Sequence, residues 1–147
     1  MTSNLKSHLA SAIDASKKNN LFEWTLAYLQ SEERNKELVE NIQKRKIVKI
    51  ELIEYPLSKL EKVTGLQNGE TEPESLPQWV KRVKNIEDAI TKKHLPPPII
   101  VTDFWQDMEI ADGSHRYEAL LKHGFTKYWT IFLFTNQASA EKLHKSQ

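Results

Sequence analysis

The chain has 147 residues, no cysteine, and a formal net charge of +1 from 21 basic and 20 acidic side chains. Without cysteine it has no disulfide, no thiolate metal site and no cysteine nucleophile, and without a strong net charge it has no overall field for binding nucleic acid. The length and an apolar fraction of 39% predict one globular domain, and the lack of a membrane-length apolar run or a secretory signal predicts a cytoplasmic protein with no membrane partner.

The first third of the chain has the apolar spacing of helices. Apolar side chains crowd "NLFEWTLAYL", and "SEERNKELVENIQKRK" carries Leu38, Val39 and Ile42 at helical spacing. In the second segment acidic residues come early and basic residues late, which is the order that the helix dipole favours. Because these apolar faces need a partner, we expect residues 1–46 to form an N-terminal helical extension on a domain of residues 47–147.

The apolar period changes to two near Val48. The segment "IVKIELIEYP" alternates apolar and charged residues and predicts a strand that ends near Pro56. The following "EKVTGLQNGETEPESLP" is rich in turn formers and glutamate, so it predicts a long exposed loop. Long loops inside compact domains often carry function.

The second half of the chain alternates predicted helices and strands. The proline run in "LPPPIIV" ends a helix and begins a buried strand. "TDFWQDME" predicts a hairpin, and "NQASAEKLHKSQ" predicts a short polar helix or a frayed tail. The order of elements predicts an α/β or α+β domain with a small mixed sheet and flanking helices. The predicted elements here are a helix from Pro77, a strand at Ile99–Val101, a helix at Ser114–Lys122 and a strand at Tyr128–Phe134.

The segment "ADGSHRYEALLKHG" places two cationic or polar side chains in the first turn of a helix, where the dipole is already positive. Such a turn attracts an anion, and a glycine before the helix allows close approach of phosphate. We therefore predict that Gly113, Ser114, His115 and Arg116 bind phosphate. The alternative is ordinary turn chemistry, in which Ser114 caps the helix and Arg116 pairs with Asp112 or another carboxylate.

The segment "LPPPIIVTDFWQDMEIADGSHRYEALLKHGFTKYWTIFLF" resembles the core of the ParB/sulfiredoxin superfamily. Members share a P-I-I-V strand, a hairpin, and a glycine turn with G-x-H-R or G-E-R-R that opens a helix. The resemblance runs from about Val48 to Phe134 and leaves the N-terminal helices outside. It implies a ParB/sulfiredoxin-like fold. The matching residues are Pro98, Ile99, Ile100, Val101, Asp112, Gly113, His115, Arg116, Ala119, Leu120 and Gly124.

This resemblance also implies a function. Sulfiredoxins bind ATP at the glycine turn, ParB proteins bind and hydrolyse CTP, and a related free serine kinase phosphorylates serine with an adenine nucleotide. The D-G-x-H-R form is nearest to the kinase branch, so the resemblance implies an ATP- or CTP-type nucleotide with Mg²⁺, and NTP hydrolysis or phosphoryl transfer to a small-molecule acceptor. Sulfinic acid reduction is excluded, because Ser114 stands in the place of the catalytic cysteine. Ser114 and His115 also depart from the ParB pattern, and the residues after Phe134 do not predict a helix-turn-helix region.

Phosphoryl transfer needs positioned groups and a metal rather than a covalent nucleophile. On this hypothesis His115 and Arg116 hold phosphates, and Asp112 binds Mg²⁺ or orients the acceptor, so that Asp112 and His115 are catalytic candidates. A glutamate from the first strand or the long loop would act as the base, and the sequence does not choose among the candidates. These candidates are Glu51, Glu54, Glu61 and Glu70.

The tryptophans offer a stacking surface for a nucleobase. Trp24, Trp79 and Trp129 lie on periodic apolar faces and are expected in the core. Trp105 lies in the predicted hairpin turn, where a core position is less natural, so it is the candidate for stacking on a ligand.

Two other classes of function stay open. A DNA-binding or nuclease-like protein would use the basic segments Gln43–Lys49 and Lys92–His94, and a metal held by acidic residues. A noncatalytic interaction module would use the N-terminal helices as its partner surface. The acidic residues in question are Asp103, Asp107, Glu109 and Asp112.

Overall fold

The computed structural model describes residues 8–31, 35–60, 76–104 and 108–145. Within these ranges it contains six α-helices and a four-stranded sheet, which confirm the predicted mixed α/β class. The helices are α1 (His8–Lys17), α2 (Leu21–Gln30), α3 (Lys36–Lys44), α4 (Leu76–Thr91), α5 (Ser114–Lys122) and α6 (Gln137–Lys145). The strands are β1 (Lys49–Pro56), β2 (Ile99–Thr102), β3 (Glu109–Asp112) and β4 (Lys127–Phe134).

The sheet is mixed and has the strand order β1-β4-β2-β3. β1 pairs antiparallel with β4 along its whole length, from Lys49 opposite Phe134 to Pro56 opposite Lys127. β2 runs parallel to β4 and antiparallel to β3. All four residues of β2 are buried, as expected for an apolar run in a central strand covered on both faces.

Helices cover both faces of this sheet. Alternate residues of β4 point to opposite sides, so Phe132 packs in a cluster with residues of α5 and α6, while Ile131 packs in a cluster with residues of α2 and α3. Leu29 and Ile42 are fully buried in the second cluster. Helices α2 and α3 therefore supply the hydrophobic cover of one sheet face, whereas Leu9 of α1 packs in the cluster on the other face. The division at residues 46 and 47 stays a prediction.

Most predicted elements agree with the observed ones. The helix at Ser114–Lys122 has the predicted bounds, and the strand that ends at Pro56 is present. Trp79 is in the core with 3% of its surface exposed, whereas Trp24 and Trp129 are partly buried and pack against the core clusters. The predicted loop after Leu60 and the tip of the predicted hairpin lie outside the described residues.

Asp103, a candidate in the nuclease hypothesis, joins the ends of the two central strands. It is 5% exposed and follows β2 directly. Its carboxylate accepts hydrogen bonds from the Thr135 backbone N–H at 2.9 Å and the Thr135 hydroxyl at 2.8 Å, just after the end of β4. These hydrogen bonds account for an aspartate at the end of a buried strand, and no role as a metal ligand is needed to explain it. Across the described ranges no helix has the length and apolarity needed to span a bilayer.

We predict that Asp103→Ala lowers the free energy of unfolding by about 3 kcal/mol, because it removes charge-assisted hydrogen bonds and leaves Thr135 donors unsatisfied. Urea unfolding followed by circular dichroism measures the change. Asp88→Ala, at an exposed position of α4, is the control and is expected to stay within about 0.5 kcal/mol of the parent. Equal effects of the two substitutions would contradict this role of Asp103.

Candidate functional site

The candidate site is the turn between β3 and α5. β3 ends at Asp112, and α5 begins at Ser114. Gly113 between them has a φ of 116°, in the left-handed region that side chains rarely adopt. A Cβ at this position would lie 3.3 Å from the Ile99 Cα and 3.1 Å from the Arg116 Nε. The turn therefore requires glycine both for its backbone conformation and for its close packing.

Arg116 lies buried beneath this turn, with 7% of its surface exposed. Its guanidinium forms an ion pair with Asp112 and donates a hydrogen bond to the Tyr28 hydroxyl oxygen at 3.0 Å. Burial disfavours the charged form, but the negative charge of Asp112 and the contact with Tyr28 outweigh this effect, so the pKa of Arg116 is raised. The guanidinium is thus bound to two protein partners in the interior.

This arrangement differs from the prediction that Arg116 is presented to phosphate. The alternative partner Asp112, four residues earlier, is the one that the structure shows. Tyr28 was not identified from the sequence, because 88 positions separate it from Arg116 and no local pattern links the two. Tyr28 lies on α2, so one of the N-terminal helices contributes a residue to the surroundings of the turn.

Ser114 is the first residue of α5 rather than its cap. The N-cap position is held by Gly113, and no side chain caps this helix end. Ser114 is 5% exposed, and within the described structure its hydroxyl oxygen has no hydrogen-bond partner. Leaving a buried hydroxyl unsatisfied costs about 1–3 kcal/mol of stability. The stability of the fold therefore does not explain a serine at this position.

His115 packs against α4. Its ring centroid lies 4.2 Å from that of Trp79, with a tilt of 38° between the ring planes. The Trp79 indole N–H donates a hydrogen bond to a Glu118 carboxylate oxygen at 3.0 Å, which orients the indole against α5. The first turn of α5 carries no acidic residue. The helix dipole at this end is therefore not neutralised by a carboxylate of its own first turn.

The structure does not bring Glu54 to the turn. Glu54 lies on β1, and two strands separate β1 from β3. At a strand spacing of about 4.8 Å this places the two strands about 14 Å apart. The Glu54 carboxylate lies 4.0 Å from the Lys127 ammonium. Glu61, Glu70, Trp105 and Asp107 lie outside the described residues, so their proposed roles stay predictions.

Glu51, another candidate base, is also on β1 and has partners there. Its carboxylate lies 2.8 Å from the His144 Nε2 and 3.0 Å from the Lys49 Nζ. Burial raises the pKa of Glu51, but the hydrogen bonds with His144 and Lys49 outweigh burial, and the net effect is a lowered pKa. This carboxylate is stabilised as an anion in contacts far along the sheet from the turn.

The described residues contain no group of three histidine or acidic side chains placed to hold a metal ion. At the turn the one carboxylate is that of Asp112, and Arg116 already engages it. The two basic segments also belong to different helical layers, because the end of α3 packs on one sheet face and the end of α4 on the other. The DNA-binding use of these two segments stays a prediction.

Trp24, which packs partly buried against the core, also belongs to an aromatic cluster next to Arg116. The Trp24 and Tyr28 rings stack with centroids 5.2 Å apart and an angle of 7°. The His8 ring meets Tyr28 edge-on at 5.1 Å. The spacing of four residues between the aromatic side chains on α2 was the signal that they share one helix face.

Comparisons with known proteins add one similarity of fold. No family model matches the chain, and no curated protein sequence matches it. Among solved structures, sulfiredoxin from Arabidopsis thaliana is similar, with 23% identity, a TM-score of 0.40, and coverage of 65% of this chain and 94% of that chain. The function proposed below therefore depends on the side chains at the turn itself.

We predict that Arg116→Met destabilises the protein by about 3–5 kcal/mol, because it leaves the Asp112 carboxylate buried without its cation. Tyr28→Phe, which removes one hydrogen bond to a charged group and retains the ring, is the milder variant and is expected to cost about 1.5–3 kcal/mol. Urea unfolding measures both. A smaller loss of unfolding free energy for Arg116→Met than for Tyr28→Phe would contradict the assigned role of the Asp112–Arg116 ion pair.

Glu51 predicts a pH dependence of stability. Because its pKa is lower in the folded state than the ordinary 4.5, its contribution is present above pH 4.5 and is lost as the pH falls through the folded value. Glu51→Gln is therefore expected to be less stable than the parent at pH 6, with the difference shrinking towards pH 3. Glu54→Gln, at a more exposed carboxylate, is the control. A difference that is the same at both pH values would contradict this assignment.

Proposed function

We propose that the protein binds the phosphate groups of a nucleotide of the ATP or CTP type at the turn from Asp112 to Arg116, and that it hydrolyses the nucleotide or transfers its terminal phosphoryl group to a small acceptor. The observation that carries this proposal is the buried Ser114 hydroxyl without a partner at the start of α5. A phosphate oxygen is the acceptor that this hydroxyl lacks.

The helix end supplies the rest of the phosphate site. The first backbone N–H groups of a helix have no partner inside the helix, and the dipole adds about half a positive charge there. The left-handed conformation of Gly113 forms the turn directly before these groups. His115 in the same turn adds a ring nitrogen as a further donor.

Arg116 is assigned a positioning role in this proposal. Its guanidinium holds the Asp112 carboxylate and the Tyr28 hydroxyl beneath the turn, and its Nε and Nη2 lie against the position where a Gly113 Cβ would be. Because Asp112 balances its charge, the phosphate charge would be offset by the helix dipole and by a metal that arrives with the nucleotide.

Mg²⁺ would arrive with the nucleotide and be held mainly by its phosphates, because the Asp112 carboxylate is already paired with Arg116. It is commonly held by one or two carboxylates together with substrate phosphates and water. Asp112 is the carboxylate at the turn, and no group of three acidic or histidine ligands accompanies it among the described residues. Bound there, Mg²⁺ would neutralise charge on the phosphates. Asp112 and His115 would position the water or hydroxyl acceptor for in-line attack.

Isothermal titration calorimetry with ATP, CTP, GTP and their diphosphates, with and without Mg²⁺, tests binding. Ser114→Ala is expected to lower the affinity for the preferred nucleotide about tenfold or more, because one hydrogen bond to a charged oxygen is lost. The same substitution is expected to keep or raise the free energy of unfolding, since it removes an unsatisfied buried hydroxyl. Ser139→Ala, in the first turn of α6, is the matched control for affinity.

The outcomes separate the classes of function. A nucleotide that binds the wild type and the Ser139→Ala variant, but binds Ser114→Ala weakly, supports the proposal, and release of phosphate or labelling of an acceptor then distinguishes hydrolysis from transfer. If the folded wild type binds no nucleotide, the proposal is wrong. Salt-sensitive retention of DNA would then favour the nucleic-acid alternative, and binding of neither ligand would favour the interaction module.

A further inference from the structure

A cleft away from the turn lies between α2, α3 and the start of β1. Its volume is about 430 Å³, within the range of cavities that hold small molecules. Its walls are mainly apolar, with Phe22 and Leu26 from α2, Ile42 from α3, and Ile47 and Ile50 from the chain that enters β1. The basic segment that the nucleotide site does not use forms one side of this cleft.

Arg45 of that segment lines the cleft. The Arg45 guanidinium is held 4.8 Å over the Phe104 ring, and its Nη2 lies 3.5 Å from the Asn41 amide oxygen. These contacts restrict the conformations of Arg45, so it would lose little freedom on binding an anion. Lys49 also lines the cleft, but its ammonium contacts Glu51 at 3.0 Å on the sheet face that carries α6. The exposed Lys44 and Lys46 flank Arg45 in the chain and add to the positive charge.

We propose that this cleft binds a small amphiphilic carboxylic acid, with its apolar tail against α2 and α3 and its carboxylate on Arg45. The planar guanidinium fork matches the two oxygens of a carboxylate, and the mainly apolar walls suit an apolar tail. An aliphatic chain of about six to ten carbons suits a cavity of this size. The function of the cleft is independent of nucleotide binding, because it shares none of the residues of the turn.

The probes are the sodium salts of hexanoic, octanoic and decanoic acids, titrated calorimetrically below their micelle concentrations. Each buried methylene is expected to raise the affinity about fourfold, or about sixteenfold from hexanoate to octanoate. Octanol is expected to bind at least about tenfold more weakly than octanoate, because it cannot form the charge-assisted contact. Equal affinities for octanoate and octanol, or no saturable binding of any acid, would overturn the proposal.

Variants locate the carboxylate and the tail. Arg45→Met is expected to remove the preference for octanoate over octanol, while Arg45→Lys retains part of it and Lys84→Met, at an exposed lysine of α4, leaves it unchanged. Val48→Phe, which narrows the cleft at a residue 44% exposed, is expected to weaken octanoate binding about tenfold. Leu76→Phe, at an exposed apolar residue of α4, is the control. A preference for octanoate that survives Arg45→Met, or an effect of Leu76→Phe equal to that of Val48→Phe, would overturn the assignment.

Discussion

The buried contact of Asp112, Arg116 and Tyr28 is the interaction on which the rest of the candidate site depends. It joins the end of β3, the first turn of α5 and the N-terminal helix α2 in one charged network. A charge is costly to bury, and the pair is tolerated because the guanidinium and the carboxylate neutralise each other and the tyrosine hydroxyl accepts a further hydrogen bond. The network therefore fixes the positions of β3, α5 and the N-terminal helix α2 relative to one another.

That geometry accounts for the chemistry of the turn. With the guanidinium folded beneath Gly113, a Cβ at that position would lie against it, so this turn requires glycine. The positive character of this end comes from backbone N–H groups and the helix dipole rather than from an exposed arginine. Ser114 adds a buried hydroxyl whose hydrogen bond is unmade in the described structure. We propose phosphate binding by backbone and hydroxyl donors as the use of this arrangement.

The N-terminal helices do more than cover an apolar sheet face. α2 contributes Tyr28 to the surroundings of Arg116, and with α3 it forms the walls of the apolar cleft. The same helix thus borders two sites of opposite character, one charged and one apolar. Both sites are lined by residues from segments far apart in the chain, which explains why neither is complete in any one motif.

Local sequence patterns were enough to predict much of the fold, because the spacing of apolar residues and the positions of glycine and proline are properties of neighbouring residues. The alternation after Val48, the proline run before Ile99 and the glycine before Ser114 each mark an element that the structure contains. The glycine turn as a candidate anion site was also visible in the sequence. Tertiary structure decided which side chains lie at that turn. It turned Arg116 inward onto Asp112 and Tyr28, and it placed Glu54 on β1, with two strands between β1 and β3. Strand order and the packing of distant helices set these distances, and the local spacing of apolar residues does not predict them.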